Sequence, residues 1–304
     1  MQLSQWLTNY LTSIKTWKNL SNKTILAYQY DLQQFLFFIE KEKIDSITQT
    51  TIENFLFFLN ENSLHPNSIK RKIISLKNFC TFLIEKNYIE KIDISFSNQT
   101  YQLPKKLPKT VSIEDVTNFL QIYQTKLSYA KSFYKTVIFT RDLALIDIII
   151  STGIRIHEAS NINLSDINWE SGKIIIRGKN NKERIVFISS RDTLKNITAW
   201  SGLRKQLSPS TNAFFLNKYG SRLSIYGITN IFHKYDHELE LATRITPHYF
   251  RHTFATELLN NGANLRDVQE ILGHASITTT QIYTQITTTR KREVFNKYNY
   301  RNLF

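Results

Sequence analysis

Residues 97–110 read SNQTYQLPKKLPKT, and no other stretch limits the fold of this chain as strongly. Pro104 and Pro108 each lack a backbone donor and fix φ, so neither a helix interior nor a central strand can run through them. The segment has no apolar periodicity, and Lys105, Lys106 and Lys109 make it an extended, basic connector. The chain is therefore expected to fold as two bodies: a domain over residues 1–96, a linker over 97–107 and a larger domain over 108–290. A tail over 291–304 follows.

The first body reads as helical. Leu3, Trp6, Leu7, Tyr10, Leu11 and Ile14 fall at helical spacing and form one apolar stripe. A second stripe, with Ser21 as its cap, runs through Tyr28, Leu32, Phe35, Leu36 and Ile39. Ile52, Phe55, Leu56 and Leu59 mark a third. Ile69, Ile73, Leu76, Cys80 and Leu83 mark a fourth, after HPNS. Four amphipathic helices with short connections make a small bundle. The fourth carries Lys70, Arg71, Lys72 and Lys77 on its polar side, which suits either a solvated face or a surface turned to a polyanion.

The second body has its own start signal, SIEDVTNFL, with Ser112 as cap and Asp115 three residues on. Within it KIIIR (173–177) and RIVFIS (184–189) are β-branched runs separated by GKNNKE, the pattern of a hairpin. Helical patterns then return, and NLRDVQEIL has Asn264 as cap and Gly273 as stop. The expected class is mainly α with a small β-sheet.

Charge narrows the partner. The chain has 39 Lys and Arg against 25 Asp and Glu, a net +14 in 304 residues, which favours nucleic acid first and a membrane surface second. Cys80 is the only cysteine, so the chain can form no internal disulfide, and a reducing, cytoplasmic setting is expected. The opening MQLSQWLTNYLTSIKTWKN lacks the basic-then-apolar layout of a signal peptide. The run LALIDIII (143–150) is far short of the roughly 20 residues that a membrane span needs.

Ionisable groups stand in four places where helix and turn logic does not demand them. Arg155 follows a glycine turn in STGIRIHEASNINL, with Glu158 one helical turn on, and alone this is an ordinary ion pair. Lys179 and Lys182 sit at the hairpin tip, a place where lysines are commonly just solvated. TPHYFRHTFATELL opens a helix with Thr246 as cap and Pro247 at the first position, and puts His248 and Arg251 on one face. His274 and Tyr283 bracket the hydroxyl-rich run GHASITTTQIY, in which Ser276 can cap a short helix. His248 and His252 are spaced as in a zinc protease, but Tyr249 stands where that motif needs Glu, so no metal site is expected.

These groups fit attack on a phosphodiester. Two arginine forks can hold the nonbridging oxygens of a pentacoordinate phosphorus, and imidazole can add a donor. A phenolate can attack and later leave, and a lysine can protonate the departing oxygen. In their order and spacing, TGIRIHEASNI, GKNNKERIVFIS and TPHYFRHTFATELLNNGANLRDVQEILGHASITTTQIYT resemble the catalytic domain of tyrosine site-specific recombinases of the Xer and phage-integrase type. The N-terminal bundle resembles that family's SAM-like core-binding domain.

The resemblance implies that Arg155 and Arg251 clamp the scissile phosphate and that Glu158 supports the site. His248 would exchange a proton with the tyrosine, and His274 would donate to a nonbridging oxygen. Lys179 would protonate the leaving 5′ oxygen, with Lys182 as the fallback. Tyr283 would form a 3′-phosphotyrosyl bond, so rejoining needs neither cofactor nor metal. The implied partner is double-stranded DNA, bound through Lys70, Arg71, Lys72, Lys77, Lys105, Lys106 and Lys182 among others. Four protomers would act on two sites, a dimer on each, through a Holliday junction and with room for accessory proteins. A type IB topoisomerase shares the chemistry, and a non-catalytic DNA-binding regulator would share the fold.

Two regions depart from the family pattern. Residues 124–142 are longer than in the chromosome-dimer-resolving members, and the ending RKREVFNKYNYRNLF lacks their usual tail. Val294, Phe295 and Tyr298 can still form a short amphipathic helix, which in this family docks on a neighbouring protomer.

Overall fold

The computed structural model describes residues 3–17, 20, 22–39, 47–62, 64–90, 92, 110–178, 183–234, 246–273 and 288–303. Ser21, Lys105, Lys106, Lys179, Lys182, His274, Ser276 and Tyr283 lie outside the described residues. The chain divides into two compact units, Met1–Lys106 and Leu107–Phe304.

The first unit holds the helices α1 (Leu3–Trp17), α2 (Asn22–Phe38), α3 (Gln49–Glu61) and α4 (Pro66–Glu85). Each apolar stripe supplies the bundle core: Leu7, Tyr10 and Ile14 from α1; Leu32 and Phe35 from α2; Ile52, Phe55 and Leu59 from α3; Ile69, Leu76, Cys80 and Leu83 from α4. The rings of Phe35 and Phe55 meet edge-on at 5.0 Å, joining α2 to α3, and those of Tyr10 and Phe79 at 5.3 Å, joining α1 to α4. Such pairs add about 0.5–1.5 kcal/mol beyond the area they bury.

Asp31 of α2 is buried in this bundle. Arg71 holds it by a two-pronged contact, Nε at 2.9 Å and Nη2 at 2.8 Å, and Lys72 adds Nζ at 3.1 Å. Half of the Arg71 side chain stays open to solvent, whereas that of Lys72 is largely covered. Lys70 and Lys77 are exposed.

The second unit is built around α6 (Phe133–Thr152). Its run Leu143–Ile150 is buried on every side, because α5 (Ile113–Ser128), α8 (Arg191–Leu203) and α10 (Pro247–Asn260) surround it. An all-round apolar run of helical length marks a core helix. Ser112 caps α5 through Asp115 N at 3.0 Å, as its sequence signal predicts. Residues 124–142 form the end of α5, a short turn and the first half of α6.

A three-stranded antiparallel sheet lies beside the helices: β1 (Ile167–Asn168), β2 (Lys173–Arg177) and β3 (Glu183–Phe187), in that order. β1 was not legible as a strand, since two residues carry no periodicity. Arg177 pairs with Glu183 at the end of the ladder next to the β2–β3 connection, and Ile176 pairs with Arg184. The remaining helices are α7 (Ile156–Asn161), α9 (Ile225–His233), α11 (Leu265–Leu272) and α12 (Thr288–Tyr298), followed by a 3-10 turn over Tyr300–Leu303.

The expected C-terminal helix forms, and its apolar side turns into its own unit. Val294, Phe295 and Tyr300 are fully buried in the core that α6 and α10 share. Asn299 Nδ2 donates to the Ser151 carbonyl at 2.7 Å, and Arg301 is bonded to Asp147. Among the described residues no helix is long and apolar enough to cross a membrane.

Candidate active site

The site begins where α6 stops. Gly153 adopts a left-handed conformation, φ 62°, and closes the helix by donating to Ile149 O. A Cβ there would collide with the ring of Phe254 and lie 3.1 Å from Leu272, so backbone angle and space both require glycine. The tight stop releases the chain into an extended Arg155, φ −76° and ψ 151°, which is the N-cap residue of α7.

Glu158 then reaches back one turn. Its Oε2 accepts from the Arg155 backbone N at 2.7 Å, and its Oε1 accepts from Arg155 Nη1 at 3.1 Å. The ion pair expected from the sequence is therefore present, but it is the lesser half of the contact. Arg184 of β3 meets the same carboxylate fork to fork, Nη1 to Oε1 at 2.6 Å and Nη2 to Oε2 at 2.7 Å. Sequence reasoning passed over Arg184, because an arginine in a β-branched run looks like an outward-facing strand residue. Burial alone would push the Glu158 carboxyl up, but the bonds and charges of Arg184 and Arg155 outweigh it and hold it at about 2.

Arg251 comes from α10, one turn after His248. It is buried, and its fork donates to two backbone carbonyls, Gly153 O at 2.6 Å and Leu272 O at 2.7 Å. Burial pushes its guanidinium down to about 9, and the neighbouring charges of Arg155 and Arg184 push the same way. It remains charged at neutral pH. His248 is exposed at the start of α10. Thr246 occupies the N-cap position, yet its side chain makes no capping bond; Pro247 at the first turn sets the helix start instead.

The end of α11 closes the arrangement. Gly273 is left-handed, φ 65°, as the stop signal requires. The carbonyls of Ile271, Leu272 and Gly273 all point at arginines: Arg184 Nε to Ile271 O at 2.8 Å, and Arg155 to Leu272 O and Gly273 O at 3.4 Å each. Gly273 is covalently followed by His274, so this turn fixes where the segment leading to Tyr283 departs. Cations at a helix C-terminus are favoured by its partial negative charge.

Two histidines complete the surroundings. Burial pushes His157 down; Glu158 opposes this, and Arg155, Arg184 and Arg251 reinforce it. His252 is lowered by burial, then by His248 and Arg251. The structure thus brings together Arg155, Glu158, Arg184 and Arg251. Three guanidiniums face one carboxylate, an excess that suits a bound anion. Among the described residues no group of three His, Cys, Asp or Glu side chains could hold a metal ion.

Known proteins resemble this chain over most of its length. The phage integrase family pattern matches residues 114–290, and the N-terminal SAM-like domain of phage integrases matches residues 7–87. Tyrosine recombinase XerC of Oceanobacillus iheyensis is 37% identical over 305 residues, covering 97% of this chain and 96% of the relative. Tyrosine recombinase XerD of Staphylococcus haemolyticus is 34% identical over 298 residues, covering 96% and 98%. The crystal structure of the XerH site-specific recombinase bound to difH substrate, a pre-cleavage complex, superposes with a TM-score of 0.68 at 26% identity, covering 91% and 79%. The chain belongs to the phage integrase family, and its enzyme class is that of the tyrosine recombinases.

Proposed function

We propose that this chain cuts and rejoins duplex DNA at a specific site, with Tyr283 as the attacking group. The charge excess around Glu158 carries the reading: two guanidiniums share its carboxylate, and beside them the Arg251 fork has, among the described residues, only neutral carbonyls as acceptors. A phosphodiester passing through a pentacoordinate state supplies the missing negative charge.

In this reading Arg155 and Arg251 hold the nonbridging oxygens, and His274 adds a donor. His248 takes the proton from the Tyr283 hydroxyl as its oxygen attacks phosphorus. The bond from phosphorus to the 5′ oxygen breaks, and Lys179 protonates that oxygen, with Lys182 as the fallback. The product is a 3′-phosphotyrosyl link and a free 5′ hydroxyl. A 5′ hydroxyl from a second duplex attacks that link and releases the tyrosine. One bond is exchanged for a similar one at each step, so the cycle needs no external energy.

Strand exchange on two sites would proceed through a Holliday junction in a tetramer, with a dimer on each site. The crystallised XerH relative, bound to its difH substrate, supports DNA as the partner. In the first unit the exposed Lys70 and Lys77 suit phosphate contact. Arg71 can offer its open half, and Lys72 is the weakest candidate because Asp31 already holds it. Chromosome-dimer resolution and movement of a mobile element would use the same cycle.

The test uses DNA flanking the gene, nicked so that the cleaved strand diffuses away. Wild type should give a protein–DNA band that survives denaturant, and Tyr283→Phe should bind but give none. A band from both removes Tyr283 as nucleophile. Specific binding with no band from either favours a DNA-binding regulator, and on an intact supercoiled circle carrying the same DNA, relaxation without recombinants favours a topoisomerase.

A further inference from the structure

We infer that Arg184 is a positioning residue for DNA cleavage, acting through Glu158 and the Leu272–Gly273 turn to fix the guanidinium of Arg155. This rests on the reading of the site given above.

Arg184 stands on β3, paired with Ile176, one pair from the end of the ladder next to the β2–β3 connection, whose sequence carries Lys179 and Lys182. Its side chain is 11% exposed. Both Nη atoms and the Nε atom donate: two bonds go to the Glu158 oxygens and one to Ile271 O. The stem lies along the turn after α11, since a Cβ on Gly273 would be 3.2 Å from Arg184 Cδ. One planar side chain therefore joins three segments: the lysine hairpin, the α7 start with Arg155, and the turn that precedes His274.

The route to Arg155 is short. Each Glu158 oxygen that accepts from Arg184 also accepts from Arg155, one from its backbone N and one from its Nη1. The carboxylate thus has all four of its bonds fixed by two arginines, and the position of one arginine sets the other. A merely structural ion pair would not need its partner to bind the phosphate-holding residue with the same atoms. Lysine cannot replace this fork, because it is a single-point donor with no Nε–H aimed at Ile271.

The experiment measures single-turnover cleavage of the nicked substrate at saturating DNA, together with DNA affinity and melting temperature. Arg184→Met should lose about 100-fold in rate, the scale of an ångström of misplacement, with affinity changed less than about threefold because no DNA phosphate contact is removed. Its deficit should deepen between pH 7 and 5.5, where an unpartnered buried Glu158 takes up a proton. In a Glu158→Gln background the same change should add less than about threefold, as expected of residues acting as one unit. Should Arg184→Met melt below the assay temperature, Arg184→Lys carries the same test.

A rate equal to wild type, a deficit constant with pH, or losses that multiply with Glu158→Gln would overturn the inference. If wild type itself forms no adduct on DNA it binds specifically, the reading of the site falls and this inference with it. If wild type forms the adduct and Arg184→Met matches it, only the role of Arg184 falls.

Discussion

Asp147 and Glu158 are both carboxylates buried in the larger unit, and they differ in what surrounds them. Asp147, midway along α6, meets Arg301 through Nε at 2.8 Å and Nη2 at 3.2 Å, while Thr193 Oγ1 and Asn196 Nδ2 fill its remaining acceptor positions. One cation faces one anion, and the two side chains are 2% and 0% exposed. The charges of that pair balance within it. Around Glu158 the cations outnumber the acid, and the Arg155 side chain keeps 30% of its surface open. A buried ion pair says little about role by itself. The ratio of charges and the openness of one member separate a joint from a site.

Arg251→Ala should make the largest difference. Cleavage should fall about 10³-fold, the scale of removing a donor aimed at developing charge. DNA affinity should fall less than about tenfold, since one phosphate contact among many is a small share of binding. A loss confined to affinity would remove Arg251 from the clamp. Next in size is Arg301→Met, which strands a buried Asp147 and should cost about 3–5 kcal/mol in a urea melt. Cleavage per folded molecule should stay at the wild-type level; a stable protein that cleaves poorly would erase the distinction between joint and site.

Acid sharpens the contrast further. Glu158 is held at about 2, below its ordinary value of 4.5. Its folded-state value is depressed, so its stabilisation is present above pH 4.5 and is lost as pH falls from there toward 2. The melting temperature of wild type should therefore approach that of Glu158→Gln across this window. A gap that stays constant would mean Glu158 does not titrate there. The smallest effects concern Asp31. Lys70→Ala should lower the salt slope of DNA binding by about 1, whereas Lys72→Ala should lower the melting temperature and leave the slope. The reverse pattern would make Lys72 a DNA contact and Lys70 a solvated bystander.

Local rules made most of the fold legible. Ile52, Phe55, Leu56 and Leu59 announce α3 because a 3.6-residue period needs no knowledge of what it packs on. Ser112, Asn264 and Gly273 mark helix ends by chemistry that acts within three residues. Arg155, Glu158 and Arg251 stood out for their order and spacing. Arg184 did not, since its meaning depends on a partner 26 residues away and on a strand register no local pattern sets. Asp147 was legible only as a break in an apolar run, because Arg301 lies 154 residues further on. The tail's inward packing was hidden for the same reason: an amphipathic stripe shows that a face will be covered, not by what.

The carbonyls that hold Arg251 have one more consequence. Its fork rests on Gly153 O and Leu272 O, both neutral. An arriving phosphate would replace uncharged acceptors with a charged one and would break no ion pair among the described residues in doing so. Only hydrogen bonds to neutral carbonyls would be given up for it, so in the proposed reading the fork is held ready before DNA arrives and is still free to turn to a phosphate.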